Sequence, residues 1–385
     1  MSELITEPGS QLMQVAQGSF ELQRNPPDKS LQAWDAADEF LLNHIAETMS
    51  PGRDSRVLVV NDSFGALAVA LSDSAVFSWN DSLLSQQALR SNLLLNACPA
   101  DAVQTNTGIA FPQQTVDCVV IRVPKTLALL EYQLYQLRGL LHPGSRVLAA
   151  GMSRNIHSST LQLFETILGP TTTTRAIKKS RLIMVERDHS MNEGQSQYPE
   201  YYDLSVEREY RIGNHASLFS RDRLDKGSRF LIENMATGET YKKIVDLGCG
   251  NGVLGIIAAA VNPDASVVFA DESHMAVASA KDNFLAAFGK QRSAEFFTGD
   301  CLQDMQDESV DLVLNNPPFH QQHSNSDAIA WNMFKDARRV LRSGGELRVV
   351  GNRHLGYHGK LKKIFGNCET LAANKKYVIL QAIRP

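Results

Sequence analysis

The stretch KIVDLGCGNG, residues 243–252, decides the fold. Lys243 to Leu247 form a short apolar run suited to extended backbone. Gly248, Gly250 and Gly252 follow, and VLGIIAAAV (253–261) behind them reads as a helix. A strand that turns through glycines into a helix opens an α/β sheet, because glycine alone accepts positive φ and lets a ligand approach the backbone. Working outward, VVFADES (267–273) is a strand ending in an acid, and MAVASAKDNFLAA (275–287) a second helix. Thr298-Gly299-Asp300 closes a third strand, and DLVLNN (311–316) is a fourth, ending in Pro317, Pro318 and Phe319.

The same series occurs earlier in the chain. RVLVV (56–60) precedes Asn61-Asp62-Ser63-Phe64-Gly65, and AVFSWND (75–81) precedes a helical LLSQQALRSNLLLN (83–96). DCVVIRVPK (117–125) answers DLVLNNPPF (311–319), with Pro124 opposite Pro318. HPGSRVLAAG (142–151) answers RSGGELRVVG (342–351), and ILGPTTTTRAIKKSRLI (167–183) answers IFGNCETLAANKKYVIL (364–380). So many matches in one order mean a duplication. Strand-like runs alternating with helical patterns predict two consecutive α/β domains, each a mostly parallel sheet closed by an antiparallel hairpin. The expected boundaries are 1–185 for the first domain, 186–202 for a polar linker and 203–385 for the second.

With 43% hydrophobic and 21% charged residues, the composition excludes a disordered chain or a low-complexity scaffold. No apolar run approaches the ~20 residues that span a bilayer, and the N-terminus lacks a secretory pattern, so a cytoplasmic protein with no membrane association is expected. Five cysteines without C-x-x-C spacing indicate neither disulfides nor a structural zinc site. Net charge is −4, yet residues 338–385 hold eleven Lys/Arg against two acids. That block is either a solvated face or a surface for an anionic partner such as RNA. Arg353, Lys375 and Lys376 are its candidate contacts. No segment calls for an obligate protein partner.

Gly250-x-Gly252-x-x-Gly255 with Asp271 about 20 residues on also satisfies a dinucleotide fingerprint. Asp246, just before the glycines, argues against a pyrophosphate and suits a cationic sulfonium nucleoside. The predicted cofactor is therefore S-adenosylmethionine, held by Asp246, Gly248, Gly250, Gly252 and Asn315. Asp271 is assigned to the ribose hydroxyls and Asp300 to the adenine amine. The tetrapeptide Asn316-Pro317-Pro318-Phe319 is the most specific signal. An exocyclic amine is a poor nucleophile because its lone pair is delocalised. Two acceptors, Asn316 Oδ1 and the Pro317 carbonyl, can draw it toward tetrahedral geometry, while Phe319 offers a stacking face.

Residues 243–385 resemble a class I methyltransferase of the amino-methylating N-P-P-[FY] kind. The whole chain resembles the bacterial ribosomal RNA guanine-N2 methyltransferases, more the large-subunit (23S) than the small-subunit (16S) branch. LQAWDAADEFLL (31–42), RVPKTLALLE (122–131), GPTTTT (169–174), NPPFHQQH (316–323) and KKIFGNC (362–368) carry that likeness. It implies two tandem Rossmann-like domains, the N-terminal copy degenerate and the C-terminal copy catalytic. It also implies methylation of one guanine of 23S rRNA at its exocyclic amine. The first half departs from the cofactor pattern at residues 61–65, where Phe64 is expected to fill the cradle. Arg122 and Lys125, standing where the tetrapeptide should be, are candidate phosphate contacts. A 16S rRNA guanine, a protein glutamine and an adenine N6 remain alternative targets.

Phe219 and Arg229 are candidate pocket residues, the alternative for their segment being a helix start capped by Asp or Ser. His320 and His323 lack a carboxylate partner at ligand spacing, so no metal is expected. Trp34 and Trp331 are assigned to packing.

Overall fold

Strand and helix alternate through both halves, as the apolar runs require. The computed structural model describes residues 9–28, 30–99, 101–191, 194–206, 208–235, 241–318 and 323–385, the side chains of 323–326 excepted. The chain divides into two units, Met1–Gln197 and Tyr198–Pro385. The first opens with a hairpin of β1 (Gln11–Val15) and β2 (Gly18–Leu22), then α1 (Ala36–Thr48). β3 (Arg56–Val60), α2 (Ala66–Ala70), β4 (Ala75–Trp79), α3 (Leu83–Leu95), β5 (Val103–Asn106) and β6 (Val116–Arg122) follow. α4 (Leu127–Leu137), β7 (Leu141–Met152), α5 (Ser158–Ile167), β8 (Thr171–Thr173) and β9 (Ser180–Val185) complete it.

The second unit repeats the order. Its hairpin is β10 (Glu200–Ser205) and β11 (Glu209–Asn214), followed by α6 (Lys226–Ile232). β12 (Lys243–Leu247), α7 (Val253–Val261), β13 (Ser266–Asp271), α8 (His274–Phe288), β14 (Ala294–Thr298) and β15 (Val310–Asn315) come next. α9 (His323–Val340), β16 (Leu341–Asn352), α10 (Tyr357–Phe365), β17 (Glu369–Ala373) and β18 (Tyr377–Ile383) end it.

The two seven-stranded sheets share one topology, β5-β4-β3-β6-β7-β9-β8 and β14-β13-β12-β15-β16-β18-β17. In each, the first five strands are parallel, and the sixth pairs antiparallel with both the fifth and the edge strand. Both halves even keep the same irregularity, at Val116/Cys118 and Val310/Leu312. Alternate residues of the second sheet feed two cores, as the strand period demands. Ile244, Phe269, Leu312 and Ile379 join one cluster, and Val245, Val268, Val313 and Leu380 the other.

The amino-terminal hairpins were not foreseen from the sequence, and β10 begins at Glu200, inside the stretch read as linker. In each unit a buried asparagine ties the hairpin segment to the loop after the first parallel strand of the large sheet. Gln23 N–H donates to Asn92 Oδ1 (2.8 Å), and Asn92 Nδ2 donates back to the Gln23 carbonyl (2.9 Å) and to that of Phe64 (2.7 Å). In the second unit Asn283 accepts from Gly213 N–H (2.7 Å) and donates to the carbonyls of Gly213 (2.8 Å) and Asn251 (2.9 Å).

Candidate active site

The site lies at the carboxyl ends of the parallel strands, where β12 passes into α7. Gly248, Gly250 and Gly252 all take positive φ, +70°, +53° and +79°. A side chain at Gly252 would bring its Cβ within 2.8 Å of Ala280 Cβ, whereas a Cβ at Gly250 would meet nothing within 4 Å. Gly252 is therefore a packing glycine, and Gly250 faces open space that a ligand can use. Gly250 N–H donates to Asp271 Oδ2 (3.0 Å), so the acid ending β13 orders the loop. Asp271 Oδ1 accepts from Ser273 N–H (3.0 Å).

Asp246 is fully buried in β12. Its Oδ2 accepts from Gly255 N–H at the start of α7 (2.8 Å), and its Oδ1 has no partner among the described residues. Burial raises its carboxyl to about 8, and the charge of Asp271 adds to the shift. A buried carboxyl oxygen held open beside a glycine loop is suited to a cationic ligand. Parallel pairing sets Leu247 against Asn315. The Asn315 amide donates Nδ2 to the Leu247 carbonyl (2.7 Å) and leaves Oδ1 buried and unpartnered among the described residues. Asp300, at the far strand end, accepts from Gln303 Nε2 (3.0 Å).

Asn316 is half-buried and Pro317 buried just beyond β15. Asn316 Nδ2 donates to Asp225 Oδ2 (3.1 Å) and to Ser228 Oγ (2.9 Å). Its Oδ1 is buried, with no partner among the described residues. Asp225 also caps α6 by accepting from Ser228 N–H (3.0 Å). Phe319 and His320 lie outside the described residues, as does the side chain of His323. Phe219 is 65% exposed and Arg229 exposed on α6.

Asp225 and Ser228 were missed as functional residues, although a signal existed. Asp225-x-x-Ser228-x-Phe230 repeats Asp35-x-x-Asp38-x-Phe40 of the first half. There Asp35 caps α1, and both Asp35 and Asp38 pair with Arg122, at 2.8 and 3.3 Å. This corrects the phosphate-binding expectation for Arg122, whose side chain is 18% exposed and committed to two internal carboxylates. Lys125 is exposed. The Phe64 expectation also needs correction. Asn61 (φ +62°) and Gly65 (φ +85°) match Gly248 and Gly252, so Phe64 stands opposite Asn251 rather than a glycine. Its ring packs on the core beneath Arg24 (4.3 Å). Closure of this loop rests on Asp62, which accepts from the N–H groups of Gly65, Leu67 and Ala68 at 3.0, 2.9 and 3.0 Å.

Five of the eleven cations of the basic C-terminal block face acids within the unit. Arg348 is buried against Glu346 and Tyr241, while Arg339, Arg342, Lys360 and Arg384 pair with Asp307, Asp311, Asp327 and Glu308. Arg353, Lys375 and Lys376 are exposed where β16 ends and β18 begins, on the edge that carries Asn316. Arg353 N–H donates to the Lys376 carbonyl (3.0 Å), which holds the three together. Among the described residues no helix is long and apolar enough to cross a membrane.

Residues 10–189 match the family described as RLMG N-terminal domain, and residues 209–381 the one described as Methyltransferase small domain. Among the relatives that carry the name ribosomal RNA large subunit methyltransferase G are two from different genera. One, from Yersinia enterocolitica, is 49% identical, covering 95% of this chain and 92% of its own. The other, from Streptomyces griseus, is 45% identical, covering 96% and 98%. A solved T. Thermophilus 16S rRNA N2 methyltransferase, RsmC, in complex with AdoMet and guanosine, shares the fold over 98% of both chains, with a TM-score of 0.77 at 20% identity. End-to-end likeness to the named relatives, on a duplicated fold with one open glycine loop, makes this chain a member of the ribosomal RNA large subunit methyltransferase G family.

Proposed function

We propose that the chain is a cytoplasmic enzyme that methylates the exocyclic N2 amine of one guanine in 23S rRNA, using S-adenosylmethionine. The observation that carries the reading is the buried Oδ1 of Asn316, without a partner among the described residues, at the strand edge beside the glycine loop. An acceptor kept dry and unused is costly unless a ligand donor completes it.

The second unit fits the cofactor. Gly250 leaves room over the loop, and Asp246 Oδ1 offers an unused carboxyl oxygen. Gly248, Gly250, Gly252 and Asn315 would line the nucleoside, with Asp271 and Asp300 as its polar partners. When bound, the cofactor supplies a methyl group activated by a sulfonium leaving group. Asn316 Oδ1 holds one amine hydrogen, and the Pro317 carbonyl is assigned the other. Withdrawing those hydrogens from the ring plane frees the nitrogen lone pair to form the new N–C bond. Transfer would exchange the cofactor's C–S bond for the new N–C bond, and the surplus amine proton would leave to solvent. Arg353, Lys375 and Lys376 present cations to RNA phosphates at the same edge. The first unit, with a capped loop and Arg122 in place of an acceptor, supports folding or RNA binding without taking a cofactor.

Incubating the protein and labelled cofactor with 23S rRNA, 16S rRNA, DNA and protein from cells lacking it tests the reading. N2-methylguanosine at one position of 23S rRNA is expected. Label in 16S rRNA, at adenine N6 or on a protein glutamine would replace it with the corresponding alternative.

A further inference from the structure

We infer that Asp225 and Ser228 are positioning residues that fix which end of the Asn316 amide faces the target amine. The inference rests on the proposed amino-methyl transfer and adds to it the device that makes Asn316 an acceptor.

A primary amide has two ends of nearly equal size but opposite polarity, and half a turn about its terminal bond exchanges them. With Oδ1 facing a target amine, Asn316 accepts a hydrogen. With Nδ2 there instead, donor would meet donor and the amine lone pair would be engaged rather than freed. The side chain alone does not choose.

The helix start of α6 chooses. Both Nδ2 hydrogens have partners, Asp225 Oδ2 at 3.1 Å and Ser228 Oγ at 2.9 Å. Rotating the amide would set Oδ1 against a carboxylate oxygen, a lone-pair and charge clash, and would turn it away from the target amine. Asp225 is itself held, because the same oxygen accepts from Ser228 N–H at 3.0 Å. Gly227 leaves the space this requires: a Cβ there would lie 3.0 Å from Asp225 Oδ2 and 3.5 Å from Asn316 Oδ1.

The first unit supplies an internal control. Its equivalent frame survives, with Asp35 capping α1 and Asp38 one turn on, but the residue between them is Arg122. An all-donor guanidinium takes two carboxylates, whereas an amide with one end to be left free takes one carboxylate and one hydroxyl. The acid at the second position is thus matched to Arg, and Ser228 to Asn316.

Steady-state methylation of 23S rRNA, cofactor binding by calorimetry and thermal melting test this on the full chain. Ser228→Ala is expected to lower kcat about tenfold, the size of one lost hydrogen bond, with cofactor Kd and KM for RNA within twofold. Ser228→Thr, which keeps the hydroxyl, recovers most of that loss. Asp225→Ser keeps a helix cap but is too short to reach Asn316, and lowers kcat by a comparable factor or more. In Asn316→Asp the two carboxylates repel, and adding Asp225→Asn supplies a donor to the new acid. The double variant is therefore expected to exceed Asn316→Asp alone by about tenfold. Wild-type transfer to guanine with kcat of Ser228→Ala within twofold, or no gain in the double variant, overturns the positioning role. Absence of transfer by the wild type itself overturns the underlying function instead.

Discussion

Asp246 Oδ2 accepts from Gly255 N–H at 2.8 Å while Oδ1, on the same carboxyl, is buried without a partner among the described residues. One oxygen secures the helix after the glycine loop, and the other is the one that the proposed reading offers to the cofactor.

A linked proton follows from that arrangement. Burial raises the Asp246 carboxyl to about 8, so at pH 7 the free protein holds it mostly protonated. A cationic ligand stabilises the carboxylate, so cofactor binding at pH 7 should release a proton, and affinity should rise with pH until about 8. Calorimetry in two buffers of different ionisation enthalpy reads the proton directly. Asp246→Asn should remove the buffer dependence and weaken binding by about tenfold or more. Stability responds in the opposite sense: this raised carboxyl favours folding least once both folded and unfolded forms are ionised. Melting of the wild type relative to Asp246→Asn should therefore fall as pH rises from about 4 to about 8.

Asn316→Ala removes the acceptor without touching the glycine loop. Its kcat should fall on the order of a thousandfold, with cofactor Kd unchanged within a few-fold. Retained turnover with intact binding would show that another group holds the amine.

The loop glycines should respond differently to alanine. Gly252→Ala drives a Cβ to 2.8 Å from Ala280 at φ +79°, and should cost roughly 2–4 kcal/mol, seen as a lower Tm. Gly250→Ala carries only the left-handed backbone strain of about 1 kcal/mol, since its Cβ meets no protein atom within 4 Å. Its larger effect should be on cofactor Kd, raised about tenfold by filling the ligand's space. Equal Kd effects from the two would refute the division of roles.

In the first unit, Arg122→Ala should destabilise by about 3–5 kcal/mol at pH 8, because it strands the buried Asp38 carboxylate. Burial raises Asp38 to about 7 even with Arg122 opposing the shift, so near pH 5 the acid is neutral and the loss should be smaller. Denaturant melts at both pH values check this, and an equal loss would show the charge to be unimportant.

Replacing Arg353, Lys375 and Lys376 by alanine should weaken RNA binding and flatten its salt dependence by up to about 0.9 log units per log salt for each phosphate no longer neutralised. Cofactor Kd should stay unchanged. An unaltered salt slope would move the RNA path elsewhere.

Sequence periodicity carried the duplicated sheets well, because central strands such as residues 243–247 are apolar on both faces and the glycine turn has few uses. It singled out Asn316 and Asp246 as candidates, because polar groups at the ends of apolar strands stand out. Asp225 and Ser228 did not, since their distance from Asn316 is set by tertiary packing across about ninety residues, and locally they read as an ordinary helix cap. The fate of Arg122 was likewise invisible without the carboxylates of Asp35 and Asp38 folded over it. The basic C-terminal block stayed open at the level of sequence, because charge counting does not separate a cation that faces an acid, such as Arg348, from an exposed one, such as Lys375.

Asn283 joins β11 and the Asn251 carbonyl through a single side chain, so the hairpin braces the loop from outside the sheet. An excised C-terminal fragment should accordingly be cut upstream of Tyr198. One trimmed back to β12 would keep every ligand-facing residue of the loop yet lose the strut that keeps it taut.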